Sequence, residues 1–134
     1  MQVDIPVRWG DLDAFNHVNN TLFLRYVEEA RIRYFDQLGD DWLTEDSGPV
    51  IVNINCNFRR EIRYPATVRV STTAHQASDK RLVMSHRLVD ADDPDRLYGD
   101  AEVTALWVDA AAGRSIPLPQ PVIAALGAGD DASD

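Results

Sequence analysis

Cysteine is nearly absent from this sequence. Cys56 stands alone among 134 residues, which excludes an internal disulfide and fits a reducing compartment. Long apolar runs are missing as well. None approaches the roughly 20 residues that a membrane helix requires, and the opening "MQVDIPVRWG" alternates and carries an acid early, unlike a secretory leader. Positive charge is scarce: 13 Lys and Arg stand against 22 Asp and Glu, a net charge of −9. A nucleic-acid partner needs a basic face to neutralise phosphates, so that class is set aside. No Gly-x-Ser-x-Gly elbow and no cluster of metal-ligand residues occurs, so neither a serine hydrolase nor a metal site is expected, and no cofactor. The chain is expected in the cytoplasm, away from any membrane.

What is present suits one globular domain, with 45% hydrophobic and 26% charged residues. Residues 1–127 are expected to form it, with 128–134 a disordered acidic tail. A first strand, Gln2 to Trp9, places Val3, Ile5, Val7 and Trp9 on one face, and Pro6 marks it as an edge or a bulge. A helix from about Thr21 to Leu38 carries Phe23, Val27, Ala30, Tyr34 and Leu38 near a 3.6-residue period. Asn19 or Asn20 caps its start and Gly39 stops it. Next comes "VIVNINCNFR", with Val50, Val52, Ile54, Cys56 and Phe58 facing one way and Asn53, Asn55, Asn57 and Arg59 the other. "ATVRVSTTAH", "RLVMSHRLV" and "GDAEVTALWV" follow as an antiparallel meander joined by turn residues, and "PLPQPVIAAL" adds a short helix. A helix with one apolar stripe must bury it on the sheet, which predicts an α+β fold. A single curved sheet leaves a face and edges to cover, so an oligomer is expected.

The polar junction "WGDLDAFNHVNN", Trp9 to Asn20, crowds two acids, a histidine and three asparagines between strand and helix. Continued as "WGDLDAFNHVNNTLFLRYVEEAR", it resembles the signature of the hotdog-fold acyl-CoA thioesterases, the 4-hydroxybenzoyl-CoA thioesterase-like group. The shared pattern is aromatic-Gly-Asp-x-Asp, a polar turn with His-x-Asn, then a helix carrying Glu-x-Ala-Arg. The resemblance implies a hotdog fold, a curved antiparallel sheet wrapped around one long helix. It implies an acyl-CoA substrate and a homodimer or homotetramer with sites at subunit seams. It also implies that Asp13 is the catalytic carboxylate and that the helix-opening amide near Asn20 receives the thioester carbonyl.

Elementary chemistry points the same way. Thioester hydrolysis needs an attacking oxygen and stabilisation of an oxyanion, but no strong acid for a thiol whose pKa is about 8.5. One carboxylate can attack directly or deprotonate water, and a helix N-terminus presents free N–H donors at the positive end of its dipole. The structural alternative is that Asp13 makes an Asx turn and Asn20 only caps. Asp11 reads as a structural acid bonded to nearby backbone. His17 either orients a water or acyl group or locks the loop. Asn16 and Asn19 read as turn formers. A calcium loop is excluded, because Asn16 stands where such a loop needs glycine and Leu22 where it needs glutamate.

Cys56 lies in an apolar strand phase and reads as a small hydrophobe rather than a nucleophile. His75 and His86 read as structural. Coenzyme A carries three phosphates, so Arg59, Arg60 and Arg63 are candidate contacts, with Lys80 and Arg81 behind them. Phe23 and Tyr26 are candidates for the acyl pocket or for ordinary core. Three rival readings are a hotdog hydratase, a thioesterase acting on carrier protein, and a non-catalytic acyl-CoA binder. The hydratase pattern places histidine five residues after the acid with proline between; here Asp13 and His17 are four apart without one.

Overall fold

The computed structural model describes residues 1–39 and 42–130, with side chains through Leu126. The element order is β1 (Gln2–Pro6), α1 (Asn20–Asp36), β2 (Ser47–Phe58), β3 (Thr67–Gln76), β4 (Arg81–Asp90), β5 (Asp93–Asp109), β6 (Arg114–Ser115) and α2 (Gln120–Asp130). Alternation shapes the centre. Val68, Val70, Thr72 and Ala74 of β3 are buried, as are Leu82, Met84, His86 and Leu88 of β4 and Ala101, Val103, Ala105 and Trp107 of β5. A period of two puts each set on one face of its strand, and the antiparallel register aligns them, with Thr72 opposite His86 and His86 opposite Ala101.

Onto that face packs the stripe of α1: Phe23, Tyr26, Val27, Ala30, Tyr34 and Phe35. Leu118, Val122 and Leu126, at the start of and along α2, join the same cluster. The sheet order is β1-β3-β4-β5-β2, with β6 added to β5. This is the α+β hotdog arrangement, an antiparallel sheet around one long helix of about 25 Å.

Four sequence expectations change. The first strand ends at Pro6, not Trp9, because the Asp11 carboxylate accepts the Arg8 N–H at 3.0 Å and turns the chain into a short 3₁₀ helix, Trp9–Asp11. Trp9 is thereby 77% exposed instead of buried. Pro6 does lie on an edge strand, since β1 pairs only with β3. In β2 the expected single phase breaks at a bulge, where Ile51 pairs with Ala105 and Asn53 with Thr104, leaving Val52 unpaired. Opposed residues share a face, so Ile51, Ile54, Cys56 and Phe58 point inward with Ala105, Val103, Ala101 and Gly99, while Val50 joins Leu106 on the outer face. The segment "DADDPDR", whose turn residues read as the connector between the last two meander strands, supplies a turn of only two residues, Ala91 and Asp92, since β4 runs through Asp90 and β5 begins at Asp93. The expected tail meets α2, which continues through Asp130; residues 131–134 lie outside the described residues.

The core holds a titratable group. His86 is 1% exposed, its Nδ1 is 2.9 Å from Thr72 Oγ1, and its Nε2 has no partner among the described residues. Burial pushes the imidazole pKa down to about 4, and the positive charge of buried Arg31 on α1 pushes the same way. His86 therefore stays neutral in the fold, whereas an unfolded histidine takes a proton near pH ~6.5. The unfolded chain binds the extra proton between those values, so this contribution is complete above the unfolded value and is lost as pH falls toward 4. The loss reaches about 3 kcal/mol. Urea unfolding at neutral pH and near pH ~5 should show it, and His86→Gln should flatten that slope; an unchanged slope in the variant would exclude His86 as its source.

Candidate active site

The junction folds into a tight turn built on Asp13. The Asp13 N–H donates to the His17 carbonyl at 2.7 Å, and the N–H groups of Phe15 and His17 donate to Asp13 Oδ1 at 2.8 and 3.2 Å. Asn16 takes φ +61°, a left-handed conformation that asparagine tolerates better than most residues. Leu12 and Val18 bridge across the base of the turn. Asp13 is thus an Asx-turn former. Its second oxygen, Oδ2, has no hydrogen-bond partner among the described residues.

The turn delivers the chain to α1. Asn19 is the N-cap, its Oδ1 accepting the Thr21 N–H at 3.0 Å while its carbonyl accepts the Leu22 N–H at 2.8 Å. Asn20 opens the helix, so its N–H has no intrahelical acceptor, and nothing among the described residues takes it. Asp13, with one carboxylate oxygen free, and Asn20, with a free N–H, both line one open cavity of about 810 Å³.

His17 and Phe23 line that cavity too. His17 Nε2 lies 4.0 Å from Glu61 Oε1, an ion pair when the ring is protonated. Phe23 is 2% exposed and meets Phe58 edge-on, with ring centroids 5.1 Å apart. Gly99 makes that approach possible, since a Cβ there would sit 3.3 Å from the Phe23 ring and 2.6 Å from the Asn57 carbonyl oxygen.

The three arginines part company. All line the cavity, but Arg59 forms an ion pair with Asp100, and Arg63 binds Glu61 at 3.2 Å. Hydrogen bonds from Arg59 and then Asn57 hold the Asp100 carboxyl below its usual pKa. Arg60 has no carboxylate partner among the described residues. Asp90, Arg96 and Tyr98, which the sequence did not single out, also line the cavity, and the Tyr98 carbonyl accepts the Arg59 and Arg60 N–H groups at 2.9 and 3.0 Å. Burial pushes the Tyr98 hydroxyl up in pKa, and the Asp90 charge adds to it.

Cys56, His75, His86, Lys80, Arg81 and Tyr26 are not on this wall. Burial, followed by the Asp100 charge, raises the Cys56 thiol pKa, the opposite of what activates a nucleophile. Among the described residues, no group of three or more His, Cys, Asp and Glu could hold a metal, and no helix is long and apolar enough to cross a membrane.

Known proteins carry the same architecture. The family model for the thioesterase-like superfamily matches residues 7–126. The long-chain acyl-CoA thioesterase FadM of Escherichia coli (strain K12) is 29% identical over 123 residues, covering 88% of this chain and 90% of that protein. The solved structure of the PA2801 protein from Pseudomonas aeruginosa is 40% identical with a TM-score of 0.86, covering 93% and 96% of the two chains. Slr0204, a 1,4-dihydroxy-2-naphthoyl-CoA thioesterase from Synechocystis, shares the fold at a TM-score of 0.88 and 20% identity, over 96% of each chain.

Proposed function

The chain belongs to the thioesterase-like superfamily, and we propose that it hydrolyses an acyl-CoA thioester to the free acid and coenzyme A, with Asp13 as its catalytic carboxylate. The observation that carries this reading is that Asp13, with one carboxylate oxygen unpartnered, and Asn20, with its N–H unpartnered, line the same cavity. FadM is named a long-chain acyl-CoA thioesterase, which supports coenzyme A as the substrate's carrier.

The chemistry follows from those two groups. In one route Asp13 Oδ2 takes a proton from water as the water oxygen adds to the thioester carbonyl. In the other, the carboxylate itself adds, and water then opens the acyl anhydride. Either way the C–S bond breaks, and the thiolate leaves with the electron pair and is protonated. A leaving thiol of pKa about 8.5 needs no strong acid. Negative charge grows on the carbonyl oxygen, where the Asn20 N–H and the positive end of α1 meet it. His17 borders the same space and can orient the water, while Phe23 offers apolar surface to the acyl group. Asp13→Asn should keep the fold and lower kcat by about 10² or more, the scale of general-base loss. Near-normal turnover of the best acyl-CoA would overturn the assignment.

Of the three neighbouring arginines, Arg60 has no carboxylate partner among the described residues and can meet a nucleotide phosphate, with Arg59 and Arg63 held by acids beside it. Arg60→Ala should raise KM for acyl-CoA several-fold, and less for a pantetheine thioester lacking the nucleotide. Equal effects would remove this contact.

Assembly follows from β2. It is an open edge on which Val50, Val52, Ile54 and Phe58 are 43 to 47% exposed. An unpaired apolar edge invites a second strand, and a dimer joined there would bring the neighbour's chain close to the Phe58 end of the cavity. Light scattering should report twice the 15.0 kDa chain mass or a higher multiple; a fully active monomer would sink this assembly. The compartment consistent with one free cysteine and an acyl-CoA substrate is the cytoplasm.

A further inference from the structure

Asp11 is the buried acid that the proposed chemistry leaves unused. It is 5% exposed, and Tyr26, the residue whose hydroxyl reaches it, is 2% exposed. The Tyr26 hydroxyl donates to Asp11 Oδ2 at 2.8 Å, and the Arg8 N–H donates to the same oxygen at 3.0 Å. The Arg8 guanidinium stands 3.5 Å from Oδ1. The Asp11 carbonyl in turn accepts the Asn19 N–H at 3.0 Å.

One residue is thus tied by its side chain to the second turn of α1 and by its backbone to the cap that opens the helix. Two residues further on is Asp13, whose own hydrogen bonds all stay inside its turn. The base of the turn is held by the Leu12–Val18 bridge and by the Val18 N–H, which donates to the Ile62 carbonyl at 2.8 Å, and Asp11 adds the side-chain tie to the body of α1. A phenylalanine could fill the space at Tyr26, but only a hydroxyl-bearing ring satisfies the buried Asp11 carboxylate.

We propose that Asp11 and Tyr26 form a positioning pair that sets the Asp13 carboxylate at the correct distance from the Asn20 N–H. This rests on the thioester-hydrolase reading of the same cavity. Neither residue touches substrate. Their effect runs through geometry, where a displacement of about 1 Å can cost about 10²-fold in rate.

Tyr26→Phe keeps the ring and removes only the hydroxyl. In the folded variant kcat should fall about tenfold or more while KM stays within about twofold. Amide exchange at Asn19 should quicken more than exchange in β4 and β5. Asp11→Asn retains an oxygen able to accept from both Tyr26 and Arg8, so it should preserve most of kcat, whereas Asp11→Ala should lose at least as much as Tyr26→Phe. Wild-type kcat with unchanged Asn19 exchange in Tyr26→Phe overturns the pair. So does exchange that quickens evenly along the chain, which marks a purely structural role. If the unaltered protein turns over no acyl thioester, the hydrolase reading fails on its own, and Asn19 exchange in Tyr26→Phe still decides the positioning pair.

Discussion

The rest of the molecule hangs on one packing constraint, the burial of the α1 stripe against the inward residues of β3, β4 and β5. Ala30 and Val27 are almost wholly inaccessible on the helix, as are Met84, Val103 and Trp107 on the strands. Apolar area removed from water at about 25 cal/mol per Å² makes this the dominant favourable term in the fold. It also fixes the azimuth of α1, and with it the position of the free N–H of Asn20 around the helix axis. The site therefore inherits its geometry from the core: turning the helix would expose Phe35 and displace that N–H together.

Two titratable groups buried in this core, Asp11 and His86, are held in different ways. Asp11 is pulled in two directions. Burial raises its carboxyl pKa, while the Arg8 N–H, the Tyr26 hydroxyl and the Arg8 charge together outweigh burial and leave it lowered. It stays ionised beneath a helix start whose dipole favours negative charge. His86 takes the other course and stays neutral, with Thr72 satisfying one ring nitrogen. The contrast is one of donors: the acid has several aimed at it, and the imidazole has a single hydroxyl and a like-charged arginine.

The two sheet edges differ in kind. β1 ends on Pro6, which has no N–H to offer, and Asp11 then turns the chain away. β2 runs twelve residues with valines, an isoleucine and a phenylalanine half open to solvent. The bulge at Val52 is what lets Ile54 and Phe58 reach the inner face at the cavity end of this strand. Edge and cavity are consequently one structural feature, in which the residues that would meet a neighbour also shape the wall around Phe23.

Local physics was legible in the sequence. The helix and the meander follow from periodicity, and the Asp13 turn and the Asn19 cap are closed by hydrogen bonds spanning at most four residues. Asp13 and Asn20 were singled out by the resemblance of the junction to the thioesterase signature, and both line the cavity. Tertiary structure alone decided what depends on distant partners. Arg59 is occupied and Arg60 free because Asp100, 41 residues from Arg59, arrives opposite the end of β2 through pairing with β5. Tyr98 and Arg96 reach the cavity by the same pairing, and the bulge at Val52 inverts the phase read for Val50 because register is set by the partner strand. His86 looked like any strand histidine until the fold buried it within reach of the Arg31 charge, since burial is a property of what packs on top and not of the strand that carries the side chain.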